Sequence, residues 1–248
     1  MLPVLLTRLM AASLAIGLLS GCAGRTKTGD AEVEDPKTTE SLVYANAQRS
    51  LRSSNYTNAI GHLEALEARF PFGRYAEQAQ LELIYARFMS YELESTQAAA
   101  RRFIRLHPQH EDVDYAYYMN GLAAYKRNAG FLNKFVGSDL SKRDVSGALE
   151  AFNVFNDMLK RFPDSNYAAD ARQRMLYLRE MLAKSEVNVA AYYMTRKAYV
   201  AAANRARYVV ENFPSCAAVA DALAIGIESS YQLGLADTAN DMARVLRL

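Results

Sequence analysis

Tyr56-Thr-Asn-Ala59-Ile60-Gly-His-Leu63-Glu-Ala-Leu66-Glu-Ala-Arg-Phe70-Pro71 reads as one amphipathic helix and its stop. Tyr56, Ala59, Ile60, Leu63, Leu66 and Phe70 recur at steps of three and four, which places them on one helical face. Pro71 lacks the N–H that another turn would need and pushes Phe70 out of helical backbone space, so the helix ends there. The same stop recurs as Leu106-His107-Pro108, Arg161-Phe162-Pro163 and Asn212-Phe213-Pro214. Five residues before each proline stand Leu66, Phe103, Met158 and Val209, all apolar. Twelve before stand Ala59, Thr96, Ala151 and Ala202, all small, and eight after stand Ala79, Ala116, Ala171 and Ala222. Small residues at fixed positions let two helices approach closely while large ones fill the gaps, which is the logic of tetratricopeptide (TPR) pairs.

Working outward, Tyr44, Ala47 and Leu51 share a face, Ala76 to Tyr91 is a broadly apolar helix, and Thr96 to Leu106 is its partner. Tyr115 to Tyr125 and Ala148 to Phe162 follow. Tyr167 to Met194 holds neither Gly nor Pro and reads as one long helix, or two with a bend near Lys184. Ala198 to Phe213, Val219 to Tyr231 and Leu235 to Leu246 complete about ten helices. The expected fold is all-α: a TPR-like superhelical array of five helical pairs spanning 41–248, with a long central helix and one extended loop. N-terminal repeats cover 41–126, a Gly-containing loop covers 127–147, and C-terminal repeats cover 148–248. The pattern is irregular, because the loop lengthens the second proline-to-proline interval and the long helix the third.

Composition agrees. The 248 residues include only 12 Gly and 6 Pro, which favours helices over sandwiches, barrels and Rossmann units. A net charge of +2 gives no electrostatic reason to hold nucleic acid. The chain carries no Walker A, G-x-S-x-G, H-E-x-x-H, G-x-G-x-x-G or C-x-x-C motif, and catalytic residues are expected to be none. His107 and His110 with Glu111 and Asp112 lie in a turn rather than on one helical face, so a solvated loop is expected and no metal. Cys216 reads as a small, partly buried filler near a helix start, where the helix dipole would lower its pKa.

The N-terminus is of another kind. After Arg8, the run Leu9 to Leu19 is uncharged and apolar but covers only about 16 Å as a helix, short of a ~30 Å hydrocarbon core. It reads as an export signal over 1–21. Leu19-Ser20-Gly21-Cys22 resembles a bacterial lipobox, which implies S-diacylglycerol and an N-acyl chain such as palmitate at Cys22 and no other cofactor. Two or more chains anchor a protein stably where one does not. Ala23 after the cysteine implies the outer membrane in enteric-type Gram-negative bacteria. Residues 22–40, rich in charge and without aromatics, are expected to be a flexible lipidated linker.

Several longer segments carry a closer resemblance. They are Leu63-Glu-Ala-Leu-Glu-Ala-Arg-Phe-Pro-Phe-Gly73, Gln80-Leu-Glu-Leu-Ile-Tyr-Ala86, Arg102-Phe-Ile-Arg-Leu-His-Pro108, Met119-Asn-Gly-Leu122 and Phe135-Val-Gly-Ser-Asp-Leu-Ser-Lys-Arg-Asp144. Ala191-Tyr-Tyr193, Asn204-Arg205 and Asn212-Phe-Pro214 extend the set. Together they resemble the BamD (ComL/YfiO) family of outer-membrane lipoproteins. Arg74 departs from that pattern where Pro is expected, and Lys197 where Gly is expected, which leaves the geometry of the second turn in question.

The resemblance implies a non-enzymatic scaffold of the β-barrel assembly (BAM) complex, lipid-anchored in the inner leaflet on the periplasmic side and acting in protein insertion into the membrane. Its expected partners are the POTRA domain of a BamA-like barrel subunit, accessory assembly lipoproteins and unfolded outer-membrane proteins, with no nucleic acid. A periplasmic TPR lipoprotein coordinating peptidoglycan synthesis or envelope constriction is the alternative. Client-peptide binding falls to Phe70, Phe72, Gly73 and Tyr75 at the rim of a repeat, although Phe70 reads equally as a cap on the first helical pair from inside. By the resemblance Arg205 pairs with an acidic residue of the barrel subunit, with Arg196 and Lys197 extending a basic patch; a solvated helix-face arginine is the plainer reading. Asp139, Ser141, Arg143 and Asp144 form either a self-contained hydrogen-bonded turn or a docking loop.

Overall fold

The computed structural model describes residues 39–129, 141 and 144–247. Ten helices and no strand occur among them: α1 (Glu40–Arg52), α2 (Tyr56–Arg69), α3 (Ala76–Met89), α4 (Leu93–Leu106), α5 (Val113–Ala129), α6 (Ser146–Arg161), α7 (Ala168–Thr195), α8 (Tyr199–Asn212), α9 (Ala218–Gln232) and α10 (Ala236–Leu246). Each packs on the helix that follows it, and first helices also pack on first helices, α3 on α5 and α7 on α9. That nearest-neighbour pattern is the signature of stacked repeats. The long stretch is a single helix, Ala168–Thr195, without a break at Lys184. The described residues begin with Thr39, the N-cap of α1, and Glu40 opens the helix, so the tail of the expected 22–40 linker belongs to the first helix.

Two turn designs alternate along the array. The first follows the second helix of a pair. Phe70, His107, Phe162 and Phe213 leave the helix at φ near −130° with ψ between 45° and 65°, as the following proline demands. Their carbonyls then accept the N–H of Gly73, His110, Ser165 and Cys216 at 2.9–3.2 Å. One sequence signal therefore writes the same backbone four times.

The second design joins the two helices within a pair, and the sequence disguises it. Asn55, Glu92, Ala198 and Leu235 each donate their N–H back to Ser50, Arg87, Tyr193 and Ser230 at 2.9 Å. This is the Schellman stop, which requires a left-handed residue just before the donor. Ser54 (φ 57°), Tyr91 (φ 62°), Lys197 (φ 56°) and Gly234 (φ 73°) supply it, so only one of the four is glycine. Lys197 thus keeps the turn geometry at some backbone strain. Between α5 and α6 no such junction occurs among the described residues.

The residues spaced from the four prolines form the core. Ala59, Thr96, Ala151 and Ala202 are fully buried, as are Leu66, Met158, Val209, Ala116, Ala171 and Ala222, with Phe103 and Ala79 nearly so. Thr96 hides its hydroxyl by donating it to the Glu92 carbonyl at 2.8 Å. Gly121 is required by space, because a Cβ there would meet the buried Phe155 ring 2.6 Å away. Polar groups also cross the stack: buried Gln97 donates to Asn120 at 3.3 Å and to Glu150 at 3.1 Å. Glu150 takes Arg101 at 2.6 Å and pairs with Arg127 as well, binding α4, α5 and α6 together.

Candidate binding sites

Tyrosines gather along the first helices of the pairs. Tyr44 of α1 donates its hydroxyl to Glu82 of α3 at 2.9 Å, where Gln48 and Gln78 also donate. Tyr85 of α3 meets Tyr56 edge-on, with centroids 6.1 Å apart. Tyr167, the residue before α7, lies 5.7 Å from Tyr115 and stacks on Tyr118 at 4.7 Å. Tyr118 donates to Asp170 at 2.7 Å, and Arg174 closes on the same carboxylate while lying 5.0 Å from the Tyr125 ring centroid. A pocket of about 280 Å³ opens in this face, lined by Gln78, Leu81, Glu82, Tyr85, Asp112, Tyr115 and Tyr167.

The environment keeps these phenols protonated. Burial raises Tyr115 strongly, and neighbouring Tyr167, Tyr85 and Glu82 add to it. Tyr118 is pushed up to about 12 by burial and by its hydrogen bond to Asp170. Asp170 in turn falls below the ordinary carboxylate range because Arg174 donates to it. The face therefore presents neutral hydroxyls and fixed carboxylates.

Around the first Phe-Pro turn the candidate residues separate. Phe72 is 99% exposed, a free aromatic ring in solvent. Phe70 instead packs half-buried against the first core cluster, as the inside reading had it. Tyr75 stacks on Tyr44 at 4.3 Å with nearly parallel rings, and Arg74 lies 5.6 Å from the Tyr75 centroid. The Tyr75 N–H donates to Glu40 Oε1 at 2.8 Å. Gly73 leaves room for that carboxylate, which a Cβ would displace. Of the four, Phe72 faces outward and the others build its support.

At the C-terminal repeats Arg205 is exposed but already engaged, donating to Glu186 of α7 at 2.8 Å. Arg196 follows the end of α7 and lies 6.0 Å from the Tyr192 centroid. A larger open pocket, about 580 Å³, lies on α7, lined by Ser141, Asn188, Val189, Tyr192, Tyr193 and Thr195 among others. Ser141 is buried and accepts a hydrogen bond from Asn188 at 2.8 Å, which ties that residue to α7. Asp144, just ahead of α6, accepts from Ser146 N and Ser146 Oγ, both at 2.9 Å, which holds its carboxyl below the ordinary range. Asp139, Arg143 and Cys22 lie outside the described residues.

Two expectations need correction. His107 and His110 are not a solvated turn: both reach Glu77 of α3, at 3.1 and 3.5 Å, and both rings pack on Phe103. No group of three ligand residues suited to a metal occurs among the described residues. Cys216 is half-buried, but its thiol is pushed up, by burial and then by Glu180, rather than lowered by the helix. Glu180 already occupies that helix start, accepting from Ala217 N and Ala218 N.

Sequence reasoning missed the pocket residues Tyr85, Glu82, Asp112, Tyr115 and Tyr167, because its attention was on the stripe that packs. The available signal lay beside that stripe: Tyr85 and Tyr177 both stand fourteen residues after their prolines.

Comparison with known proteins bears on the whole array. A family model described as "YfiO: Outer membrane lipoprotein" matches residues 36–246. "Outer membrane protein assembly factor BamD" of Neisseria meningitidis serogroup A is 44% identical over 94% of this chain and 88% of its own length. The protein of that name from Vibrio cholerae is 36% identical over 95% of each, and that from Xylella fastidiosa strain 9a5c is 38% identical over 97% of this chain and 82% of its own. No helix among the described residues is long and apolar enough to cross a membrane. With its proline-stopped pairs, its Phe-Pro-Phe-Gly turn and this coverage, the chain belongs to the YfiO family of outer-membrane lipoproteins.

Proposed function

We propose that this chain is a non-enzymatic scaffold for outer-membrane protein assembly, held on the periplasmic side of the outer membrane by acyl chains on Cys22. The α7–α8 region with Arg205 and Arg196 docks the POTRA region of a barrel subunit. The tyrosine face of the N-terminal repeats, with Phe72 at its edge, takes the aromatic C-terminal signal of unfolded outer-membrane proteins. The observation that carries this reading is the tyrosine-lined pocket formed by α3, the start of α5 and the residue before α7, on a chain whose relatives are named assembly factors. Aromatic walls suit extended apolar and aromatic peptides, and stacked repeats offer such a surface without rearrangement.

Photo-crosslinkers placed at Phe72, Tyr85 and Arg205 in cells test it. Capture of unfolded outer-membrane proteins at the first two sites and of a large β-barrel protein at the third is expected. Capture of peptidoglycan synthases instead would assign the array to cell-wall coordination. Cys22→Ala should release the chain into the soluble fraction of cells depleted of the barrel subunit; continued sedimentation with membranes would overturn the anchor.

A further inference from the structure

The pocket on the tyrosine face has a charge pattern that its aromatic walls alone do not require. Its polar lining is Glu82 from α3 and Asp112 from the turn before α5, together with neutral Gln78 and the tyrosine hydroxyls, and no cation lines it. Glu82 is satisfied by Tyr44, Gln48 and Gln78, which fix it in place while leaving its charge. Asp112 donates its own N–H to His110 Nδ1 at 3.0 Å, and its exposed carboxylate takes no hydrogen bond among the described residues. The arginine close by, Arg174, is committed to Asp170, and His110 turns its other ring nitrogen to Glu77. At about 280 Å³ the pocket falls just below the ~300 Å³ at which small-molecule pockets begin, so it suits one long side chain rather than a folded domain.

We infer that this pocket receives one arginine or lysine side chain of the extended segment bound along the first helices. Tyr85, Tyr115 and Tyr167 wall its stem, and Asp112 with Glu82 faces its charge. Aromatic faces attract cations through the ring quadrupole, and carboxylates beside them add to that attraction. The same lining repels a carboxylate, so a peptide's free C-terminus lies outside this pocket even when its side chains enter it. The inference rests on the client reading proposed above and deepens it by naming what the pocket selects.

The test uses the full-length lipoprotein in detergent and fluorescent peptides ending in an aromatic signal sequence. One internal position is varied as Arg, Gln or Glu, and the C-terminus is free or amidated. The Arg peptide is expected to bind about tenfold tighter than the Gln peptide, the range of a partly desolvated cation–π and charge contact. Asp112→Asn should remove most of that preference while leaving the Gln peptide's affinity unchanged, and amidation should not weaken binding. Equal affinity for the Arg and Gln peptides, or an Arg preference untouched by Asp112→Asn, overturns the inference while leaving the client reading standing. If none of the peptides binds, the client reading falls, and the pocket is judged by titrating N-acetyl-arginine amide against N-acetyl-norleucine amide. A selective shift of the Tyr85 and Tyr115 ring resonances by the arginine compound supports the pocket, and its absence overturns it.

Discussion

Glu40 and Tyr75 are thirty-five residues apart in the chain, yet the Glu40 carboxylate accepts the Tyr75 N–H at 2.8 Å and so closes the first helical pair onto the second. Gly73 makes this possible by having no Cβ where the carboxylate lies. Gly73→Ala should therefore destabilise the N-terminal repeats by about 1.5–3 kcal/mol, the range for losing a charge-assisted bond. In a Glu40→Ala background the same change should have little further effect, because the two act through one contact. Urea unfolding of the four chains measures the coupling, and purely additive effects would show that Gly73 serves something else.

Lys197 occupies a left-handed position that Gly234 fills in the last pair. Lys197→Gly should stabilise the protein by roughly 0.5–1 kcal/mol, the relief of left-handed strain exceeding the added chain entropy. Lys197→Val should destabilise it, since a β-branched residue tolerates that backbone worst. Thermal unfolding checks both signs.

Arg205 and Glu186 pair at 2.8 Å on a surface where the arginine is about half exposed. Such a pair contributes at most about 1 kcal/mol, so Arg205→Ala should hardly change stability. Arg205→Glu sets two carboxylates together, and adding Glu186→Arg should restore the pair with its charges exchanged. If Arg205 docks the barrel subunit, the double variant regains stability but not binding, which titration against the subunit's periplasmic region would resolve. Binding recovered by the swap would show that Arg205 acts only by bracing α8 on α7.

Tyr118 and Asp170 set the pH limits of the α5–α7 contact. The folded chain holds the Tyr118 proton more tightly than an unfolded chain, so stability should fall as pH rises from the ordinary 10.0 towards about 12. Tyr118→Phe should flatten part of that limb, the rest belonging to Tyr44, Tyr85, Tyr115, Tyr125 and Tyr167, which are raised as well. Asp170 is lowered, so its contribution is present above the ordinary carboxylate value of 3.8 and is lost as pH falls through its depressed folded value. Unfolding midpoints followed against pH for wild type, Tyr118→Phe and Asp170→Asn test both limbs.

The four prolines and the alanines spaced from them made the helical pairs readable, because a proline stop and a small-residue contact are local demands that few other folds impose. The turns within pairs were not readable that way. Ser54, Tyr91 and Lys197 adopt left-handed backbone without glycine, and only the packing on either side compels them to. The binding residues were half legible. Phe72 stood out as an aromatic in a turn, but Phe70 and Tyr75 share its neighbourhood and face inward, a distinction that spacing alone does not make. Glu77 beneath His107 and His110, Asn188 beside Ser141, and Glu186 beside Arg205 are partners from other helices, which no reading of one segment reveals.

The alternation of two turn designs, with each helix leaning on its chain neighbours, has a mechanical corollary. Because each helix packs chiefly on its chain neighbours, a pull at residue 40 should be shared as small rotations over the pairs rather than borne by one rigid joint. In a chain anchored and docked as proposed above, such an array would absorb the tension of insertion without letting go at either end.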